Sequence, residues 1–324
     1  MKADRNQPLG AQRVRAGSGS EGQRLDNFLL RELAGVPRSR VYRLLRKGEV
    51  RVNGKRKHAD YRLAVDDEVR LPPVRVAAPA GTGARRVPDA LVETMRRAIV
   101  KEDARLLVLD KPAGLAVHGG SGLAFGAIEA LRALRPDEPL ELIHRLDRET
   151  SGCLLIARTR AALRAAHALL RHGEVEKHYA ALVAGRWRLG RKTIDAPVQT
   201  NARQGGERVV RVHRAGKIAV SVFDPLTHFR DVATRMDVVI RTGRTHQIRV
   251  HAAFAGHPVA GDDKYGDREF NARLRALGLR RMFLHAASIA FRWPDTGEEF
   301  RAESPLPDEL QSVLEQLREP RDQD

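Results

Sequence analysis

Cysteine is nearly absent from this 324-residue sequence: Cys153 stands alone. That excludes a disulfide framework and a thiolate zinc site. Aromatic residues make up only 5% of the chain, with four tyrosines and two tryptophans. No apolar run approaches the roughly eighteen residues that a membrane-spanning helix requires. The first residues, MKADRNQPLGAQRVRAG, lack the apolar core of a secretory signal. The expected location is therefore the cytoplasm, with no membrane partner. The phosphate-loop pattern GxxxxGK(S/T), the zinc helix HExxH and the EF-hand loop do not occur. No dinucleotide fingerprint follows a strand, and the twelve histidines do not cluster at metal-ligand spacings; no metal site is expected.

Acidic residues also run short. Asp and Glu total 41 against 58 Lys and Arg, a net charge of +17, which favours a polyanionic partner and nucleic acid first. Arginine dominates the cations, and a GC-rich coding bias yields the same excess, so the charge signifies binding only where it is localised. Residues 1–20 are polar and without period, and read as a disordered tail. Residues 21–72 read as a compact unit. Leu25, Phe28, Leu29 and Leu33 share one helix face, Gly35 can cap that helix, and Pro37 can open the next. The second helix, 38–47, buries Val41, Leu44 and Leu45 and turns Arg38, Arg40, Arg43, Arg46 and Lys47 outward. A short strand at 49–52 leads into Asn53-Gly54, a strong hairpin signal, and then into Lys55, Arg56 and Lys57. Cations converging on one helix and one hairpin fit a phosphate-contacting surface better than a solvated face.

Residues 73–92 are rich in Pro, Gly and Ala and read as a flexible linker. Residues 93–318 mix short apolar strands and helices without a βαβ rhythm. The expected class is α+β, a large mixed or antiparallel sheet preceded by the small α/β unit, with 319–324 as a tail. Alternation predicts strands at 179–183, 219–223, 232–240 and 247–251, and in the last of these Gln247, Arg249 and His251 would share one face.

Three polar segments stand out. In 144–152, HRLDRETSG, Asp147 has Arg145 on one side and Arg148 on the other; neighbouring cations favour a carboxylate's anionic form and suit a nucleophile. An ordinary charged loop with an Asp-based turn fits the same residues. In 176–185, EKHYAALVAG, Tyr179 reads as a half-buried strand aromatic. In 241–251, RTGRTHQIRVH, Arg249 is either part of a solvated basic face or a guanidinium aimed at a carboxylate in a cleft.

These segments, with LDKPAGLAVHGG at 109–120, GDDKYG closing at 266 and FLHAASIAF at 283–291, together resemble the RluA-type pseudouridine synthases, in the expected order over about residues 95–305. RLDNFLLRELAGVPRSRVYRLLRKGEVRVNGKR, 24–56, resembles an S4 RNA-binding domain. The pairing is similar to the ribosomal large-subunit enzymes, most of all to their C type. The resemblance implies that uridine in RNA becomes pseudouridine: the N1–C1′ bond breaks, the uracil turns, and C5 joins C1′, without cofactor or metal. It implies Asp147 as nucleophile on C1′ or C6. Tyr179 would stack on the uracil and take the C5 proton, with Arg249 paired to Asp147 and Leu284 packed beneath. Arg145 would help replace a base that must leave the stack to be reached. Thr150, His246 and Gln247, within the same motifs, are expected in the substrate pocket. The implied partner is RNA, 23S rRNA or its large-subunit precursor, bound by a monomer, with no DNA. Two other classes stand beside this reading. One is a non-catalytic S4-type RNA-binding or ribosome-assembly protein. The other is a glycoside or nucleoside hydrolase, which usually pairs two carboxyl groups; Glu149 lies two residues from Asp147, but nothing in the sequence marks it as a general acid.

Overall fold

The computed structural model describes residues 12–33, 36–74, 86–120, 123–204 and 207–318. It divides into two compact units, Met1–Arg86 and Val87–Asp324. Among the described residues no helix is long and apolar enough to cross a membrane.

The first unit runs β1 (Gln12–Arg15), α1 (Leu25–Glu32), α2 (Arg38–Lys47), β2 (Arg51–Val52) and β3 (Glu68–Leu71). Its three strands form an antiparallel sheet in the order β1-β3-β2. The apolar faces of both helices close over it: Leu25, Phe28, Leu29, Val41, Leu44 and Leu45 pack with Val52, Val69 and Leu71. Asn53 and Gly54 both adopt positive φ, 49° and 74°, the two-residue turn whose twist matches the flanking strands. The tail expectation fails from Gln12 onward. Gln12–Arg15 pairs with β3 from Gln12↔Leu71 to Arg15↔Glu68, and Ala16 is fully buried. Pairing of the backbone to β3 holds this polar strand, and backbone pairing leaves no hydrophobic period to read. The expected linker is also shorter than its composition suggested: Val74 belongs to the first unit's core, and a helix opens at Asp89. Residues 75–85, 1–11 and 319–324 lie outside the described residues.

The second unit continues α3 (Asp89–Ala98), β4 (Ile99–Glu102), β5 (Leu106–Lys111), α4 (Ala127–Leu134), β6 (Glu141–Leu142), β7 (Ser151–Ala157), α5 (Arg160–His172), β8 (Glu176–Ala184), β9 (Lys192–Asp195), β10 (Val198–Gln204), β11 (Glu207–Val212), β12 (Val220–Phe229), β13 (Ala233–Ile240), α6 (Gln247–Phe254), α7 (Arg268–Ala276), β14 (Leu284–Arg292), β15 (Glu299–Glu303) and α8 (Asp308–Arg318). Ten strands make one mixed sheet with the path β4-β5-β7-β14-β8-β13-β12-β9; β6 joins β7 and β15 joins β14. Only β7 and β14 run parallel. The alternation of side chains sorts the core into layers. Leu107, Leu109, Leu154, Ile156, Tyr179 and Ala181 face α3, α4 and α6. Leu106, Val108, Cys153 and Leu155 face α5 on the other side, where α7 and α8 cover Leu182 and Phe283. Every residue of β7 is buried, which explains its unbroken apolar run.

Gln247–Phe254 is a helix, not the strand that alternation suggested. Gln-Ile-Arg-Val-His is too short to separate a period of 2 from one of 3.6. Its residues from Gln247 to Ala252 are buried all round, so no polar stripe marks the helix. The consequence is that Arg249 and His251 do not share a face.

Candidate active site

Asp147 lies on the loop between β6 and β7, and the sheet centre fixes that loop. Immediately after it, Ser151 and Gly152 pair with His285 and Ala286 of β14, and Ala286 in turn pairs with Tyr179 of β8. Gly152 adopts φ +106°, and a Cβ there would stand 2.3 Å from the carbonyl oxygen of Ala286. Only glycine lets β7 approach β14 so closely. The Thr150 N–H donates to the carbonyl of Asp147 at 3.1 Å, and the Thr150 side chain is buried. Leu284 sits in the core cluster that also holds Tyr179. The chain thus brings Tyr179 and Leu284 to one face of adjoining central strands, with Asp147 on the loop beside Tyr179.

Lys111, at the end of β5, ties down the same loop. Its fully buried ammonium donates to the carbonyls of Pro112 at 2.8 Å, Leu115 at 2.9 Å and Arg148 at 3.1 Å. Burial pushes its pKa down to about 7, opposed by the charges of Glu149 and Asp147. Three carbonyl acceptors require three N–H donors, which only the ammonium supplies.

Helix α6 delivers the cation. Arg249 NH1 donates to Asp147 Oδ2 at 3.3 Å. Its remaining donors form a fork on Asp262, Nε to Oδ2 at 2.7 Å and NH2 to Oδ1 at 2.8 Å. Asp262 is fully enclosed and also accepts from the backbone N–H groups of Lys264 and Tyr265 at 2.9 and 3.0 Å. Burial pushes Asp262 up, but the hydrogen bonds and charge of Arg249 outweigh it and hold the carboxyl below its ordinary value. The Tyr265 ring lies under the guanidinium, 5.0 Å from centroid to Cζ. The Tyr265 hydroxyl meets His246 Nδ1 at 2.8 Å, which leaves His246 Nε2 3.9 Å from Asp147 Oδ2. Burial lowers the pKa of His246 despite the charge of Asp147.

Asp147 Oδ2 is therefore engaged while Oδ1 has no partner among the described residues. Its side chain keeps 22% of its surface, enough for a substrate to reach it. The hydroxyl of Tyr179 also lacks a partner among the described residues, and its residue is 7% exposed. Burial, then the charge of Asp147, raises its pKa; the phenol is neutral at rest. Arg145 is exposed and makes no ion pair with a described residue.

Two expected pocket residues differ in placement. His246 reaches the cluster. Gln247 does not: it is 3% exposed, and its amide is spent inside the protein. Oε1 accepts from the Thr242 hydroxyl at 2.7 Å and the Arg244 N–H at 3.0 Å; Nε2 donates to the Val220 carbonyl at 3.0 Å and the Ser221 hydroxyl at 2.9 Å. It clamps the turn that opens α6, and its expected role as a substrate ligand is corrected to that of a structural residue. His251, fully buried, bonds Ser221 and the Ala196 carbonyl. Three residues without an expected role take part, Lys111, Asp262 and Tyr265. The run Gly-Asp-Asp-Lys-Tyr-Gly, with one of only four tyrosines, was the signal that could have found the last two.

In the first unit, Arg43, Arg46, Lys47 and Lys55 are exposed and Arg40 half-buried; none pairs with a described carboxylate. Lys57 lies over the Tyr61 ring at 4.5 Å, and Arg56 donates to the carbonyl of Arg46. Of Arg38 only the backbone, which opens α2, is described.

The family described as RNA pseudouridylate synthase matches residues 105–254, and the S4 domain matches residues 23–69. Ribosomal large subunit pseudouridine synthase C of Pasteurella multocida (strain Pm70) is 52% identical over 303 residues, covering 92% of this chain and 91% of that protein. The protein of that name from Escherichia coli (strain K12) is 50% identical over 309 residues, covering 93% and 94%. Among solved structures, Human RNA Pseudouridylate Synthase Domain Containing 4 superposes with a TM-score of 0.59 at 27% identity, covering 71% of this chain and 96% of that one. Human RNA Pseudouridylate Synthase Domain Containing 1 gives 0.54 at 26%, covering 70% and 96%. With half its residues shared along nine-tenths of its length, and with the same sheet, the chain belongs to the RNA pseudouridine synthase family and carries an S4 domain ahead of the catalytic unit.

Proposed function

We propose that the chain converts uridines of large-subunit ribosomal RNA to pseudouridine, with Asp147 as the attacking carboxylate. The observation that carries this is the state of Asp147: one oxygen is tethered to Arg249, and the other is unpartnered and open to a ligand. Attack by that oxygen on C1′ would displace the uracil, and attack on C6 would tether the base while it turns. Either route ends with C5 bonded to C1′, the C5 proton given up and N1, freed from C1′, taking one proton in exchange, and Asp147 regenerated. The exchange is redox-neutral, so no oxidant or reductant is consumed.

Arg249 positions Asp147 and screens its charge from the incoming phosphodiester. The Tyr179 ring offers a stacking wall, and its neutral phenol acts as a hydrogen-bond partner or relay to C5; a resting phenolate base does not fit its burial. Arg145 is exposed and unpaired, as a side chain that fills the place of an extruded base must be. The relatives' names state the ribosomal large subunit as their object, and the S4 cations Arg40, Arg43, Arg46, Lys47 and Lys55 supply the unpaired positive charge that an RNA backbone neutralises. A single copy of the chain, acting on RNA and not DNA in the cytoplasm, completes the reading. Hydrolysis is disfavoured: Glu149, the second carboxyl it needs, is exposed beside Arg148 at 3.5 Å and lacks the apolar enclosure of a general acid.

The test is pseudouridine formation on deproteinised 23S rRNA by purified parent and Asp147→Asn under single turnover, with the modified positions mapped. The expected result is product from the parent and none from the variant at unchanged RNA affinity. Turnover of Asp147→Asn within tenfold of the parent overturns the assignment.

A further inference from the structure

Of nine phenylalanines, eight are buried or half-buried, and one, Phe254, leaves 62% of its surface in water. The ring lies at the end of α6. It stands at the rim of a cavity of about 660 Å3, a size suited to small ligands, which runs between α6 and β11. Val250 and Phe254, one helical turn apart, form one wall. Val209 to Val212 of β11 line the other side, and Tyr265 also lines the groove. Two cations, Arg211 and Lys264, line the groove against one carboxylate, Asp263.

Tyr265 is shared with the catalytic cluster. The Tyr265 hydroxyl accepts from the Val210 N–H at 3.1 Å and bonds His246 at 2.8 Å, while its ring lies under Arg249. Tyr265 thus links the groove to the site at Asp147. An aromatic platform, apolar walls and a cationic edge are the features that hold a single unpaired nucleotide without reading its sequence.

Resting on the reading of this chain as an RNA-modifying enzyme, we propose that the groove takes the unstacked base of a nucleotide adjacent to the target uridine, stacked on Phe254, with Arg211 and Lys264 facing its phosphates. The flipped uridine and its neighbour would then be held on opposite sides of Tyr265. Binding the neighbour outside the helix favours the form in which the target is extruded, so the groove acts through affinity for that form.

The experiment uses a 23S rRNA stem-loop containing a uridine mapped as a product of the parent enzyme. 2-Aminopurine replaces each neighbour of that uridine in turn. Stacking on Phe254 quenches the probe at one position when the parent binds, and Phe254→Ala abolishes that quenching. Phe254→Ala should raise the apparent Kd about 10-fold, the scale of one base–aromatic stack, with the single-turnover rate at saturating RNA within about threefold of the parent. Phe254→Trp should restore affinity. An abasic residue at the quenched position should weaken the parent by the same factor and leave Phe254→Ala unaffected, because the two changes delete one contact. Equal sensitivity of parent and variant to the abasic residue overturns the proposal. So does an unchanged Kd together with loss of a parent dimer in sedimentation, which would make Phe254 a contact between copies. Failure of the broader function shows differently, as no pseudouridine from the parent on any rRNA.

Discussion

Two carboxylates grip the same guanidinium, and replacing each by its amide should cost unequal stability. In Asp262→Asn one oxygen must serve four donors. If the amide oxygen keeps the Oδ1 position it retains Arg249 NH2 and the N–H groups of Lys264 and Tyr265, but its NH2 then faces Arg249 Nε, donor against donor. The flipped amide is worse, with NH2 facing three donors. Breaking a buried ion pair from one side costs about 3–5 kcal/mol, and the retained acceptor places this variant near the lower end. At about 2–4 °C per kcal/mol for a domain of this size, Tm should fall by roughly 6–12 °C. Asp147→Asn loses one 3.3 Å contact at a partly solvated carboxylate, a loss of under about 1 kcal/mol and about 3 °C. The assay is thermal unfolding of parent and both variants in one buffer, repeated down a pH series. Asp262 has a folded pKa below its ordinary 3.8, so its stabilisation is complete above that value and fades as pH falls through the folded pKa. The gap between parent and Asp262→Asn should therefore be constant near neutrality and close in acid. A Tm loss for Asp147→Asn equal to that of Asp262→Asn would refute the division between a structural and a reactive carboxylate.

Lys177 is 8% exposed with no acceptor among the described residues, and burial pushes its pKa down to about 8 from 10.5. Because the folded pKa is the lower one, its penalty is full below pH 8 and vanishes between about 8 and 10.5; Lys177→Met should raise stability by ~1–3 kcal/mol at pH 7 and match the parent above pH 10.5 in denaturant titrations, while equal stabilities at pH 7 would contradict this. Gln247→Ala removes the acceptor of the Thr242 hydroxyl and the Arg244 N–H and should cost ~2–4 kcal/mol, read as a lower unfolding midpoint, with the pitch of α6 and hence turnover suffering in parallel. Tyr179→Phe removes a hydroxyl that has no partner among the described residues, so Tm should hold within about 1 °C while single-turnover pseudouridine formation falls by about 100-fold; near-normal turnover would reduce Tyr179 to a stacking ring.

Residue types and local chemistry announced much of this protein. Leu25, Phe28, Leu29 and Leu33 declare a helix by spacing alone, and Asn53-Gly54 declares a hairpin because only residues tolerant of positive φ fit it. Cys153, alone, ruled out disulfides before any fold was known. Asp147, Tyr179 and Arg249 were legible as candidates because polar or aromatic residues that local structure does not require are conspicuous, and the ordered motifs tied them to one chemistry. Tertiary structure alone decided what those residues touch. The strand β1 was hidden because its stabilisation is backbone pairing to a strand more than fifty residues away, and helix α6 because burial on all sides erases the stripe that separates a helix from a strand. Gln247 looked like a ligand until its four partners were found within the protein. Asp262, thirteen residues from Arg249, became the guanidinium's principal anchor, while Asp147, 102 residues away, keeps a single long bond to it. Spacing along a chain carries short-range sterics and periodicity. Which carboxylate is buried against the arginine, and which is left with a free oxygen, follows from the order of strands in the sheet, and strand order is a property of the whole core.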